Sequence, residues 1–277
     1  MRTPQRTHSK PRPRADTTPR VGKPTAIRIG TAGWSLPRAS APAFPAAGTH
    51  LERYASVFNA VEITSSFYRP HRRETYAKWA ASVPDDFRFS VKAPREITHE
   101  LRLRACSKPL RTFLDEIDAL GSRLGCLLIQ LPPSLAFERR RATSFFTLLR
   151  REFERAVALE PRHASWFEPA VEELLRQFDV GRVGADPSLS AAAAAPMTGT
   201  LLSYHRLHGS PRMYYSNYEE PALVALSHDL VAAAARGREA WCIFDNTAHG
   251  FAIANALRAV ELVSRSSKSA PRTVRRR

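Results

Sequence analysis

The sequence predicts an α/β protein whose parallel strands close into a (β/α)8 TIM barrel, and three observations carry that expectation. Short β-rich runs alternate eight times with helical patterns, which calls for parallel strands joined by crossover helices. Nearly every run ends on polar or charged residues, and a barrel gathers all such ends on one face, where the active sites of these folds lie. The chain has 277 residues, in line with the ~250 that one barrel uses as a single unit. An open doubly wound sheet is the alternative. It loses support because no GxGxxG follows the first run and no GxxxxGK(S/T) occurs, so neither glycine-rich phosphate cradle is present.

Taken in order, strand-like runs are expected at 27–31, 60–65, 87–92, 124–131, 156–160, 182–186, 201–208 and 240–245. Helices are expected near 49–58, 74–82, 109–120, 142–153, 169–178, 221–235 and 252–263, with the alanine run 191–195 as a loop after the sixth strand. The run 124–131 is the most apolar, as a strand buried on both faces should be, and Pro132-Pro133 closes it. The run 201–208 alternates, so Tyr204, Arg206 and His208 share one face while Ser203, His205 and Leu207 take the other. Gly209, Ser210 and Pro211 follow at once and place that polar face at the C-terminal end of its strand.

The formal net charge is +16, from 42 basic and 26 acidic residues, and its distribution decides what it implies. Residues 1–26 hold seven basic side chains against Asp16, and residues 264–277 hold six with no acid. Both segments lack apolar periodicity and are expected to be disordered basic tails around one barrel domain at 27–263. They would act as solvated appendages, or would bind nucleic acid loosely through its phosphates. No run reaches the ~18 apolar residues of a membrane span, and the N-terminus lacks the apolar core of a signal peptide. A soluble protein of the cytoplasm, with no membrane partner, is the expectation. Cys106, Cys126 and Cys242 form no CxxC pair, so neither a disulfide framework nor a zinc knuckle is implied. Cys126 and Cys242 read as core residues and Cys106 as an exposed thiol.

The strand ends supply the candidate site. Glu160 and Arg162 alternate on one face and should meet as an ion pair, either a structural bridge or a general acid/base whose pKa Arg162 tunes. Lys92 ends an otherwise apolar strand, where a lysine serves as a Schiff-base nucleophile, as an anion anchor, or as a partner of Glu62. Arg206 and His208 project together, which suits an anionic oxygen held by a guanidinium beside an imidazole proton shuttle. Asp245 and Asn246 end the last strand. Glu160, His208, Lys92 and Asp245 are thus the candidate catalytic groups. Candidate substrate-binding residues are Trp34, Glu62, Tyr68, Gln130, Arg162, His163, Trp166, Asp186, Tyr204, Arg206, Tyr215 and Asn246. Phe67 and Tyr214 join the loop aromatics that would cover the mouth or stack on a sugar or base, and His71 and His99 read as surface histidines. Glu62, Glu160, Asp186, His208, Asp245 and Asn246 have the donor chemistry for a divalent metal, but no tight spacing such as HExxH occurs. A divalent metal is possible but not favoured, and the cofactor is otherwise unknown at this point.

Seven motifs in order, GTAGWS (30–35), VEITSSFYR (61–69), FRFSVKAPREITHE (87–100), LIQLPPS (128–134), EPRHASWF (160–167), YHRLHG (204–209) and FDNTAHG (244–250), resemble the family known as domain of unknown function 72. The resemblance runs from about residue 27 to 263. It implies a TIM barrel similar in architecture to sugar-phosphate isomerases and metal-dependent endonucleases, and it implies no particular activity. Two positions depart from the family pattern. Thr64 stands where an asparagine is usual, and Leu36 where an aromatic is usual. Three functions follow as expectations. The first is an enzyme, of hydrolase, lyase or isomerase type, acting on a small polar or anionic substrate such as a sugar, phosphate or nucleotide by acid/base chemistry. The others are a nucleic-acid-binding protein using its basic tails and an aromatic-lined mouth, and a non-catalytic ligand-binding barrel.

Overall fold

The computed structural model describes residues 27–269, with side chains described as far as residue 266. Strand β1 (Ile27–Thr31) leads through helix α1 (His50–Ala55) to β2 (Ala60–Ile63), α2 (Arg73–Ala81), β3 (Arg88–Lys92), α3 (Ser107–Asp118), β4 (Leu124–Gln130), α4 (Arg139–Glu152) and β5 (Ala156–Glu160). Helix α5 (Pro169–Gln177) precedes β6 (Val180–Arg182) and β7 (Gly184–Asp186). Then follow α6 (Ala191–Ala194), β8 (Leu202–Leu207), α7 (Glu220–Ala235), β9 (Glu239–Phe244) and α8 (Phe251–Ser269).

The helices form where apolar residues recur with the helical period. In α3 the buried set is Leu110, Phe113, Leu114 and Ile117, and in α4 it is Ala142, Phe145, Phe146 and Leu149, one stripe per helix turned onto the strands. Starts are marked by local chemistry. Thr49 and Glu52 form a capping box on α1, with Glu52 N–H donating to Thr49 Oγ1 at 3.3 Å and Thr49 N–H to Glu52 Oε2 at 2.7 Å. Pro169 opens α5, where its missing N–H costs nothing.

All strand pairs are parallel, in two arcs ordered β1-β9-β8-β7 and β2-β3-β4-β5-β6. Two seams join the arcs into the barrel. At one, β6 and β7 are a single stretch of chain interrupted at Val183, whose N–H donates to Leu159 O at 2.9 Å while β7 pairs with β8. The expected strand 182–186 is therefore two short strands, each serving a different arc.

At the other seam, side chains take the place of ladder bonds between β1 and β2. The Asn59 amide accepts from Ile29 N–H at 3.1 Å and donates to Ile27 O at 2.8 Å. The Tyr54 hydroxyl accepts from Thr31 N–H at 2.8 Å and donates to Ala60 O at 3.0 Å. Backbone pairing resumes only toward the mouth, where Ala32 bridges Glu62 and Gly33 N–H donates to Glu62 O at 2.8 Å. Gly30 makes this arrangement feasible, since a Cβ there would fall 2.0 Å from Ala60 O.

Two cores result. The larger lies between strands and helices. The smaller fills the barrel interior with Cys126, Leu128, Ala158, Val183, Ala185, Tyr204, Trp241 and Ile243, and there Tyr204 and Trp241 stack 5.8 Å apart. Several expectations need correction. Cys106 is buried, at 3 % exposed, because it enters α3 against the outer core. The alanine run is a short helix whose Ala193 N–H donates to the capping Ser190 hydroxyl. Helix α8 continues to Ser269, so the segment expected as a tail from 264 begins as helix. The rest of that tail and the tail 1–26 lie outside the described residues. Among the described residues no helix is long and apolar enough to cross a membrane.

Candidate functional site

Strand alternation sends Glu62 of β2, Ser90 and Lys92 of β3, Glu160 of β5 and Tyr204 and Arg206 of β8 toward one another inside the C-terminal half of the barrel. His208 and Asp245 join them just beyond β8 and β9. The centre is Arg206, 1 % exposed. Its Nε and Nη2 donate to Glu62 at 2.8–3.2 Å, Nη1 donates to Glu160 Oε2 at 3.0 Å, and Nη2 also meets Asp245 Oδ2 at 2.9 Å. Burial opposes the guanidinium charge most strongly, yet Glu62, Asp245 and Glu160 together hold its pKa well above the ordinary value. Tyr204 completes this lower layer, donating to Glu62 Oε2 at 3.1 Å and bonded to Ser90 Oγ at 2.9 Å.

The upper layer is built around His208. Its Nδ1 lies 3.0 Å from Asp245 Oδ2. Its Nε2 lies 2.8 Å from Glu160 Oε1, 2.7 Å from Arg162 Nη2 and 3.4 Å from Arg206 Nη1. Arg162 Nη2 also reaches Glu160 Oε1 at 2.5 Å, and Gln130 Nε2 donates to Glu160 Oε2 at 3.1 Å. Burial would raise the Glu160 and Asp245 carboxyls. For Glu160 the guanidinium of Arg206, then His208 and Arg162, reverse this and hold it well below the usual carboxylate range, and Arg206 and His208 lower Asp245 in the same sense.

Gly209 turns the chain sharply after His208 with φ +95°, and a Cβ there would crowd Ser216 O at 3.1 Å and Asn246 Cβ at 3.2 Å. The returning loop lays Tyr214 edge-on to the imidazole at 6.0 Å, with Tyr214 N–H donating to His208 O at 2.5 Å. Lys92 stands at the side of the mouth, its Nζ 4.1 Å from the centre of the Phe67 ring.

Not every candidate takes the place expected of it. Arg206, expected to hold an anionic substrate, is instead the internal clamp of three carboxylates, and Glu62 and Tyr204 are buried with it. Glu62 pairs with Arg206 rather than with Lys92. Trp166 is core, 1 % exposed, with Nε1–H donating to Leu135 O at 2.9 Å. Asp186 accepts from the Tyr218 hydroxyl at 2.6 Å. Asn246 is buried and donates to Ser216 O and Asn255 Oδ1, and His163 caps the turn Ala164–Phe167. Trp34 is half-buried against Trp79, Tyr215 lies under Arg212 and against His249, and Tyr68 is 78 % exposed.

Of the carboxylates considered as metal ligands, Glu62, Glu160 and Asp245 face guanidiniums and Asp186 the Tyr218 hydroxyl, and among the described residues no three His, Cys, Asp or Glu side chains are grouped to hold an ion. Thr64 makes no side-chain bond to the turn it precedes, and Leu36 packs on the outer core. Sequence reasoning left Ser90 out of the site, and it expected Phe67 and Tyr214 at the mouth without assigning them partners. Alternation with Lys92 could have found Ser90. The contacts of Phe67 and Tyr214 depend on loop paths that no period encodes.

Fold and site together define a parallel α/β barrel with a buried acid–base cluster at the C-terminal ends of its strands. The chain belongs to the family described as Protein of unknown function DUF72, which matches residues 28–276. It is 35 % identical over 176 residues to the UPF0759 protein YecE of Escherichia coli (strain K12), a match spanning 61 % of this chain and 62 % of that relative's length. With the UPF0759 protein YunF of Bacillus subtilis (strain 168) it shares 24 % over 269 residues, 86 % of this chain and 94 % of the relative. The crystal structure of a DUF72 family protein from Thermotoga maritima MSB8 superposes with a TM-score of 0.73 at 26 % identity, covering 86 % of this chain and 99 % of that one. A DUF72 family protein from Enterococcus faecalis V583, at 23 % identity and TM-score 0.71 over 87 % of this chain and 98 % of its own, shares the fold.

Proposed function

We propose that the protein is an enzyme that moves a proton on a small anionic substrate at the C-terminal mouth of the barrel. The observation that carries this reading is the placing of His208. Nδ1 has an acceptor, Asp245, within reach and so keeps a proton. Nε2 has both an acceptor, Glu160, and a donor, Arg162, and is therefore partnered whether or not it carries a proton. An imidazole served in both states suits a general acid/base, a role worth about 10²–10⁴-fold in rate. Glu160, held ionised, then acts as the counter-charge of the imidazolium, as does Asp245, rather than as the base itself.

Arg162 supplies the anion grip. One end of its guanidinium holds Glu160 and His208, while Nε and Nη1 have no partner among the described residues, and the side chain is 14 % exposed. Tyr214, 41 % exposed on the loop 209–217, is the cover that lifts to admit substrate to Nε2. The cytoplasm is the compartment inferred, in keeping with three buried free cysteines.

The test uses the full-length protein with oxalate, phosphate and phosphoglycolate. At least one should raise the melting temperature of the unmodified protein and not of Arg162→Gln. Carbon acids that stabilise the protein are then incubated in D2O and followed by proton NMR, where exchange should fall by about 10²-fold or more in His208→Asn. The reading fails if no anion stabilises the protein, or if His208→Asn exchanges at the unmodified rate.

A further inference from the structure

Lys92 differs in kind from the other cations of the mouth. Basic positions in this chain are overwhelmingly arginine, 36 of 42. Of the three lysines whose side chains are described, Lys78 and Lys108 are exposed and Lys92, at 8 %, is buried. Arg162 and Arg206 each hold carboxylates. Among the described residues no carboxylate comes within salt-bridge distance of Lys92 Nζ, whose neighbour is the face of Phe67.

The backbone around it is firmly held. Lys92 O accepts from the buried Ser66 hydroxyl at 2.7 Å, and Ala93 N–H donates to Leu128 O at 2.8 Å. Burial, and after it the charge of Arg206, bring the ammonium pKa from 10.5 down to about 8, against the opposing pull of Glu62, Glu160 and Asp245. As a permanent cation, arginine would serve this position better. Of these two cationic side chains, lysine is the one that provides a lone pair close to neutral pH.

We infer that Lys92 is a nucleophilic amine that forms an imine with the carbonyl carbon of a small oxo acid or aldehyde bound in the mouth. This rests on the reading of the mouth as an active site, and it names the substrate class. The Nζ lone pair bonds to the carbonyl carbon, the C=O π pair moves to oxygen, and one proton passes from nitrogen to oxygen to give the carbinolamine. The hydroxyl then leaves with the second nitrogen-bound proton as water, and C=N remains. Amine plus carbonyl becomes imine plus water, with no change of oxidation state. The carboxylate of an oxo acid would meet the unpartnered side of Arg162.

Reductive trapping tests this. The full-length protein is incubated with glyoxylate or pyruvate and cyanoborohydride from pH 6 to 10, and its peptides are weighed by mass spectrometry. The Lys92 peptide should gain the reduced adduct ~10-fold or more faster at pH 8 than the peptides of Lys78 and Lys108, because far more of its amine is unprotonated there. Labelling should climb through about pH 8 and vanish in Lys92→Arg. Equal labelling of all three lysines, or no label on Lys92 at pH 9, overturns the inference. If oxalate still stabilises the protein in an Arg162-dependent way, the acid–base reading survives that failure. Conversely, Lys92 labelling that persists while His208→Asn leaves exchange unchanged retains the imine and removes His208 from the chemistry.

Discussion

The two faces of β8 carry neighbouring basic residues that the fold treats in opposite ways. On the inner face Arg206 is buried and charged, because Glu62, Glu160 and Asp245 converge on it. On the outer face His205 is buried and neutral, its pKa lowered to about 4 by burial and then by the charge of Arg238. It borders a groove of ≈ 770 Å³ whose lining includes Asp186, Glu219 and Asp229, yet none of these forms an ion pair with it. Depth alone therefore does not decide whether a basic side chain keeps its charge. Partners on the same face do, and alternation along a strand determines which residues receive them.

The sharpest way to break this contrast is to remove the inner charge. Arg206→Met leaves Glu62 buried without its counter-ion and Glu160 with Arg162 as its one guanidinium, and should cost about 3–5 kcal/mol in chemical denaturation. Adding Glu62→Gln should return part of that loss. A double variant no more stable than the single one would show that the clamp is not what holds these carboxylates.

The outer residue should answer to pH instead. His205 is neutral when folded, with a pKa of about 4 against 6.5 when unfolded, so the unfolded chain binds the extra proton between those values. Stability is full above pH 6.5 and falls as pH drops toward 4, by up to about 3 kcal/mol. His205→Leu should flatten that part of the curve and leave pH 7 stability nearly unchanged. Melting temperatures from pH 4 to 8 decide it.

The smallest effect is expected at Lys92, which lies between these cases. Its folded pKa of about 8 lies below 10.5, so stability rises with pH between those values and gains nothing from the ammonium below them. Lys92→Met should therefore stabilise the protein at pH 7 by about 1–2 kcal/mol and abolish the alkaline rise. Destabilisation at pH 7 would mean that the carboxylates need the Lys92 charge.

Much of this was legible in the sequence because both periods involved are short. The eight runs and their helices follow from spacings of two and about 3.6 residues, and alternation placed Tyr204, Arg206 and His208 on one side of their strand. The ends of strands are also where the cluster lies. Depth was not legible. Nothing local distinguishes Arg206, locked inside by three carboxylates from three other strands, from Arg162, which keeps half its guanidinium free. Asp186 ends a strand and Trp166 lies in the turn after one, as true site residues would, and only the paths of Leu135 and Tyr218 show that their polar atoms are already used. The break at Val183 was hidden for a similar reason, since it depends on which arc each half of the stretch pairs with.

Glu62 has a position whose consequence is mechanical. Its backbone carries the Ala32 bridge and accepts from Gly33 at the seam where Asn59 and Tyr54 stand in for the ladder, while its carboxylate grips Arg206 at the heart of the mouth. The residue works as a buckle, fastening the ring of strands with its main chain and the charged cluster with its side chain. Loosening the cluster should therefore be felt as slack in the ring, first in the amide proton of Gly33, which is bonded to Glu62 O.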